Sequence, residues 1–339
     1  MSYTKILDRS NVLVAGGAGF IGSHLCDALL EKNNVICIDN FITGQEENID
    51  LLMQNQNFKF IKHDLIEPID LEALPELEVF KVKYQGLQQI YNLACPTSPK
   101  EYHHLPIETL LTNSQGTRNL LDLAVKYKAR FLHASSASIY GEPVQNQKFK
   151  ESDWGSIDPV GPRSCYNEGK RFAESLVVNY GNYRSVDFRI ARIFNTFGPR
   201  MKLQDGRMIP DFIAHALTNQ PLTIYGSPEE ISTYCYVSDM VDGLLKLMDH
   251  TSSGVFNLGS PEPYKMKDIA QMIIDLTSAR VVFEEAAALP YLARQGVPDI
   301  TLAKEQLGWF PLTKLEDGLR STINYGNAHE YVLGPKLSA

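Results

Sequence analysis

The sequence has no run of ~18 uninterrupted apolar residues of the kind that spans a bilayer. Its first ten residues, MSYTKILDRS, carry no apolar leader. A soluble, cytoplasmic globular chain is expected, with no membrane partner. Cysteine is sparse, five in 339 residues, and Cys26, Cys37, Cys95, Cys165 and Cys235 lie far apart. Without short paired spacings they argue against a zinc site or a disulfide framework, so no metal is expected and the thiols read as small core residues. Cations are outnumbered, 32 Lys and Arg against 40 Asp and Glu for a net charge of −8. They are scattered rather than gathered into a stripe, which excludes the electrostatic footprint of a nucleic-acid binder. An anionic substrate therefore needs a few cations placed locally. Internal repeats and low-complexity segments are absent.

What is present is enough apolar material, 44% of the chain, to bury the core of one large or two coupled domains. Through the first half, short β-branched runs (NVLVAG, VICID, FKFIKHD, QIYNLA, RFLHASS, VDFRIARIF) alternate with longer amphipathic stretches such as the one carrying Leu120, Leu121, Leu123 and Ala124. Strands separated by helices make an α/β fold, a doubly wound parallel sheet with helices on both faces. Beyond Phe197 a Gly/Pro/Asp-rich stretch, GPRMKLQDGRMIP, breaks the rhythm. Residues 1–197 are expected to form a nucleotide-binding domain and 198–339 mainly a smaller α/β substrate domain, with the chain free to cross between them. The segment from Ile66 to Gln88 reads as an excursion before the fourth strand.

Gly16-Gly17-Ala18-Gly19-Phe20-Ile21-Gly22 stands directly after the first strand and before the helix-like SHLCDALLEK. Glycines let the backbone turn tightly against a pyrophosphate, which then rests on the free N–H groups and positive dipole of the helix N-terminus. Asp39 closes the next strand about 20 residues on, where a carboxylate accepts hydrogen bonds from the adenosine ribose and repels a 2′-phosphate. The expected cofactor is NAD rather than NADP, in a Rossmann domain. Asp64, after the third strand, is either an adenine contact or a turn cap.

Tyr166 and Lys170 are four residues apart on one helix, so phenol and ammonium share a face. Ser135 and Ser136 end a strand about 30 residues earlier. A nearby cation and a positive nicotinamide stabilise phenolate, which makes Tyr166 a candidate base, with Ser136 holding the reacting hydroxyl.

The dinucleotide motif joined to Ser136, Tyr166 and Lys170 resembles the extended short-chain dehydrogenase/reductases that act on nucleotide sugars. Residues 11 to about 325 are most similar to the UDP-glucuronate decarboxylase (UDP-xylose synthase) branch. The segments that carry the likeness are GPRSCYNEGKR (161–171), Ala94-Cys95-Pro96 with Ser98, Pro99 and Tyr102, RIFNTFGPRM (192–201), DGRM (205–208), YVSDMVDGL (236–244) and PDITLAKEQLGW (298–309). The resemblance implies cofactor contacts at Gly16, Gly19, Phe20, Ile21, Gly22, Asp39, Asn40, Gly44, Asp64, Leu65 and Ala94, besides Tyr166 and Lys170. It implies substrate contacts at Pro96, Tyr102, Ser138, Asn195, Arg200, Arg207, Tyr225 and Arg294, a UDP-sugar as substrate, and a homodimer built on helices that contain residues 107–127 and 165–180.

Two departures qualify the likeness. Where the decarboxylases carry a Glu before Val-Tyr-Gly, this chain has Ser138, and the dehydratases' Asp-Glu pair is absent too. That arrangement looks like the 4-epimerases, which need only Ser, Tyr and NAD. Two family arginines are replaced by Ser232 and Gly296, with Arg294 close enough to stand in for the second. The expected chemistry passes through a 4-keto sugar and ends in loss of carbon dioxide or, as the other reading, in epimerisation. A non-catalytic dinucleotide-binding protein is a third reading, opposed by the retained Ser136, Tyr166 and Lys170.

Overall fold

The structure is a computed structural model that describes residues 9–143, 147–203, 205–290, 292, 294 and 296–333. Residues 1–8, most of the segment read as lacking a leader, lie outside them. The six β-branched runs become β1 (Ser10–Ala15), β2 (Asn33–Asp39), β3 (Phe58–Lys62), β4 (Gln89–Asn92), β5 (Arg130–Ser136) and β6 (Phe188–Ile193). A seventh strand, β7 (Gly254–Leu258), joins the far edge, giving the order β7-β6-β5-β4-β1-β2-β3 with every neighbouring pair parallel. The order reverses between β1 and β4, and ligands of open α/β sheets bind in the crevice outside the strand ends at such a reversal.

Both faces of this sheet are apolar because both are covered. Side chains alternate along β1, so Val12 and Val14 pack with Leu25 and Cys26 of α1 (Phe20–Leu29), while Leu13 and Ala15 face the opposite core. That opposite core receives Leu120, Leu121, Leu123 and Ala124, the buried stripe of the helix read before β5. Two helices precede the centre of the site: α2 (Pro106–Leu111) and α3 (Thr117–Tyr127). They are followed by the long α4 (Ser164–Arg184), which carries Tyr166 and Lys170. The excursion over 66–88 folds into short helical turns and buries Leu71, Leu77, Phe80 and Val82 in the same core.

Past residue 198, α5 (Met208–Leu217) and, later in the chain, α7 (Met266–Thr277) build a separate core from Ile209, Phe212, Ile213, Ile269 and Ile273. Between these two helices lies α6 (Val237–Asp249). A boundary at 198 does not separate the packing units, however. α6 packs on α1, β7 extends the parallel sheet, and Trp309, wholly buried, sits in the α1-side core. The GVFNL run of β7 is too short and too close to a helix to stand out by periodicity, which is why the crossing is not visible in the pattern alone.

Trp309 fastens this return. Its Nε1 donates to the Asp239 carbonyl at 2.9 Å, and its ring covers Gly243, where an added Cβ would lie 2.9 Å from it. Trp309→Ala is expected to lower stability by about 3–5 kcal/mol. Denaturant titration checks this, and a loss under about 1 kcal/mol would mean that the C-terminal return is not a structural part of the core.

Candidate active site

At the crevice, β1 stops at Ala15 and the glycine turn leads directly into α1. Gly16 has φ of 78°, and a Cβ there would lie 2.7 Å from the Ala94 nitrogen. A Cβ on Gly22 would lie 2.1 Å from the Gly16 carbonyl oxygen. Backbone therefore packs against backbone with no room for side chains. No side chain caps α1 at Gly19, so the first-turn N–H groups are left for an anion. Beside this cradle Asp39 ends β2, its Oδ2 accepting from the Ala18 N–H at 3.1 Å and its Oδ1 from Phe41 at 2.9 Å. Burial pushes its carboxyl up, and those N–H groups pull it back. Gly44 leaves the carboxylate open, since a Cβ would stand 2.9 Å from Oδ1. A cradle that a Cβ would fill, an uncapped helix start and a carboxylate at the second strand end fit NAD.

Two cavities open here. One of about 200 Å³ lies over Gly16, Gly19, Phe20, Ile21 and Gly22, and one of about 700 Å³ lies toward α5. Ser136 and Tyr166 line both, together with Thr97, Asn195, Thr196 and Arg207, so the two catalytic candidates stand where the cavities meet.

Ser136 Oγ accepts from the Ser138 N–H at 3.1 Å, which caps the turn Ala137–Tyr140, and it is hydrogen bonded to the Tyr166 hydroxyl. Tyr166 stacks on Tyr102, ring centroids 5.0 Å apart and planes 13° from parallel. Burial pushes its phenol above the usual range, while Ser136 and the Arg163 guanidinium draw it down. Lys170 is also buried, and burial lowers its ammonium. Its Nζ donates to the Ala134 carbonyl at 2.8 Å, one residue before the serine pair, rather than to the phenol. The shared helix face is there, but the lysine acts on the strand end that holds the serines.

The residues expected around the ligands divide. Asn195, Arg207 and Tyr225 line the larger cavity, as do Tyr102 and Arg294. Arg207 is ion-paired with Asp205, its Nε 2.7 Å from Oδ2, and Arg294 lies 3.4 Å from Glu142. Arg200 lines only the smaller cavity, on the glycine side, because Asp27 of α1 holds it there at 3.0 Å. Pro96 is buried behind its neighbours Cys95 and Thr97, which do line the smaller cavity. Ser138 is turned back behind Ser136 by the helical turn, 4% exposed, with no partner for its Oγ among the described residues and outside the walls of both cavities. Asp64 caps a turn, accepting from Ile66 N–H at 3.1 Å and from Asn40 Nδ2 at 3.1 Å, and Leu65 is core. Ala94 backs the glycine turn.

The departures have visible consequences. Ser232 lines the larger cavity and accepts from Asn195 Nδ2 at 2.9 Å. At Gly296 a Cβ would lie 2.4 Å from the Phe149 ring, so this backbone path has no place for the family's arginine. Cys95 packs, partly buried, against Tyr102, Cys165 and Tyr166 and also borders the smaller cavity, accepting from Asn113 Nδ2 at 3.1 Å.

The comparisons with known proteins agree with this geometry. The model of the NAD dependent epimerase/dehydratase family matches residues 12–259. The chain belongs to that family. UDP-glucuronic acid decarboxylase 1 of Arabidopsis thaliana is 44% identical over 319 residues, 93% of this chain and 69% of the relative. Among solved structures, UDP-glucose 4-epimerase of Thermotoga maritima with UDP-glucose has a TM-score of 0.82 at 26% identity, covering 94% of this chain and 99% of that one. UDP-glucuronic acid 4-epimerase of Bacillus cereus in complex with UDP-glucuronic acid and NAD has a TM-score of 0.80, also at 26% identity and with the same coverages.

An epimerase/dehydratase-family site also contains residues that sequence reasoning missed. Thr43, Gln45 and Asn48 border the glycine cradle, and Arg163, Glu142 and Lys100 border the larger cavity. Only Arg163 had a signal, its place three residues before Tyr166. Asp39 yields a direct test of the cofactor reading: NAD is expected to bind far better than NADP, and Asp39→Ala to narrow the gap. A binding titration in which wild type prefers NADP would contradict the assignment of Asp39 to the adenosine ribose.

Proposed function

We propose that this chain oxidises the C4 hydroxyl of UDP-glucuronate and releases its C6 carboxylate as carbon dioxide. The observation that carries the reading is the meeting of the two cavities at Ser136 and Tyr166, in a chain with 43–44% identity to UDP-glucuronic acid decarboxylases over most of its length. NAD, when bound on the glycine cradle, supplies the acceptor and later the donor of the C4 hydride.

The chain's own residues do the rest. Ser136 holds the sugar hydroxyl and Tyr166 takes its proton. A phenol held high by burial is a reluctant base until positive charge arrives, so proton removal is coupled to cofactor occupancy. Lys170, fixed on Ala134, steadies the strand end. The resulting 4-ketone makes the carboxylate a β-keto acid; the C5–C6 bond breaks, carbon dioxide leaves and the electron pair passes to the ketone oxygen as an enolate. C5 then takes a proton from water, and the phenol of Tyr166 returns its own proton to the C4 oxygen as the ketone is reduced. Arg207 and Arg294 supply local cations for the diphosphate and uronate. Tyr225 and Asn195 border the same space.

Nothing in this mechanism requires a carboxylate at position 138, but that same absence favours a second reading, 4-epimerisation, in which the ketone takes the hydride on its other face. No Asp-Glu pair stands there to expel water, which disfavours a 4,6-dehydratase. A homodimer is in keeping with the surface: Ile107, Leu110 and Leu111 of α2 and Phe172 of α4 are exposed on two helices that pack together. The five free cysteines suit a reducing, cytoplasmic location.

Product mass from UDP-glucuronate separates the readings. Loss of carbon dioxide is expected. Conversion without mass change would establish the epimerase instead, and no conversion of any UDP-sugar would remove both.

A further inference from the structure

Arg200 is built into an unusual position. It follows Gly198-Pro199 and adopts φ of 65°, a left-handed backbone that a side-chain-bearing residue enters at a cost and that clusters at functional sites. α1 holds this corner by two side chains one turn apart. His24 Nε2 lies 2.9 Å from the Pro199 carbonyl oxygen, and Asp27 Oδ2 lies 3.0 Å from Arg200 Nη2. A carbonyl oxygen can only accept, so Nε2 carries the proton in this contact, and burial pushes the pKa of the ring down. The ion pair occupies one end of the guanidinium. The other nitrogen, Nη1, is buried and has no acceptor among the described residues, although a buried unpaired N–H of a charged group is costly. The same side chain lines the smaller cavity with Gly19, Phe20 and Ile21, at the uncapped start of α1, and not the larger one.

We infer that Arg200 binds the diphosphate of the dinucleotide, closing over the helix start from the part of the chain that follows β6. The unpaired Nη1 is the donor, the diphosphate oxygen its missing acceptor, and Asp27 the group that keeps the guanidinium aimed. The first-turn N–H groups of α1 and Arg200 then hold the anion from two sides. The residue is thereby assigned to the cofactor rather than to the nucleotide sugar. The inference does not depend on which sugar reaction the enzyme performs.

The test is a binding comparison on purified protein freed of nucleotide, with NAD, ADP-ribose, adenosine and UDP as separate ligands. Arg200→Gln is expected to weaken NAD and ADP-ribose by roughly 10- to 100-fold, the worth of one charge-assisted contact. Adenosine, which lacks the diphosphate, and UDP, which occupies the other cavity, are expected to bind as they do to wild type. Unchanged NAD affinity would overturn the inference. So would a loss confined to UDP, which would make Arg200 a substrate residue, or an equal loss for adenosine, which would make its role structural. If the glutamine variant does not fold, Arg200→Lys carries the same comparison. It keeps the charge but not the fork, and a smaller loss, again confined to NAD and ADP-ribose, is expected.

Discussion

Glu174 and Arg192 form a buried, two-pronged ion pair, Nε to Oε1 at 3.0 Å and Nη2 to Oε2 at 2.8 Å, and the catalytic geometry hangs on it. Glu174 sits on α4, one turn after Lys170 and two after Tyr166; Arg192 sits on β6 beside Ser135 of β5. Glu174 also accepts from Ser135 Oγ at 2.6 Å, and Arg192 donates to the Tyr140 hydroxyl at 2.9 Å, which donates to Asn257 of β7 at 2.7 Å. One network thus fixes the helix that carries the tyrosine against the strand end that carries the serine. Such a pair adds little over a well-packed apolar core, yet removing one partner strands a buried charge at about 3–5 kcal/mol. Its value here is register: it leaves few ways for Ser136 and Tyr166 to stand relative to each other.

A second buried group sits close to this network. His133, on β5 before Ala134, is almost wholly buried, and burial together with the Lys170 charge holds its ring neutral. Asn92, its register partner on β4, offers Nδ2 to His133 Nδ1 at 3.3 Å and to Thr117 Oγ1 at 3.2 Å. The ring thus stands uncharged beside the Lys170 ammonium under the strand end that carries Ser136.

The sheet was legible because both its faces are covered, so its first six strands read as apolar runs. The glycine turn and Asp39 were legible because a phosphate cradle allows few residue types. β7 and Trp309 were not, since a five-residue strand and one aromatic carry no periodicity. Individual contacts were harder still. Ser138 occupies a family substrate position in sequence, but the turn that Ser136 caps folds it away from the cavities. Arg200 lines the smaller cavity rather than the larger one, and the partner that holds it there, Asp27, is 173 residues away in the chain. Long-range pairing of this kind leaves no local mark in a sequence.

In the proposed reaction Tyr166 exchanges the C4 hydroxyl proton beside Ser136. Tyr166→Phe removes the phenolic oxygen alone and keeps the ring stacked on Tyr102. The decisive measurement is turnover of UDP-glucuronate by this variant, followed by product mass alongside NAD affinity. A loss of about 10²–10⁴-fold in kcat with NAD affinity unchanged is expected. Turnover within about tenfold of wild type would contradict the role of Tyr166.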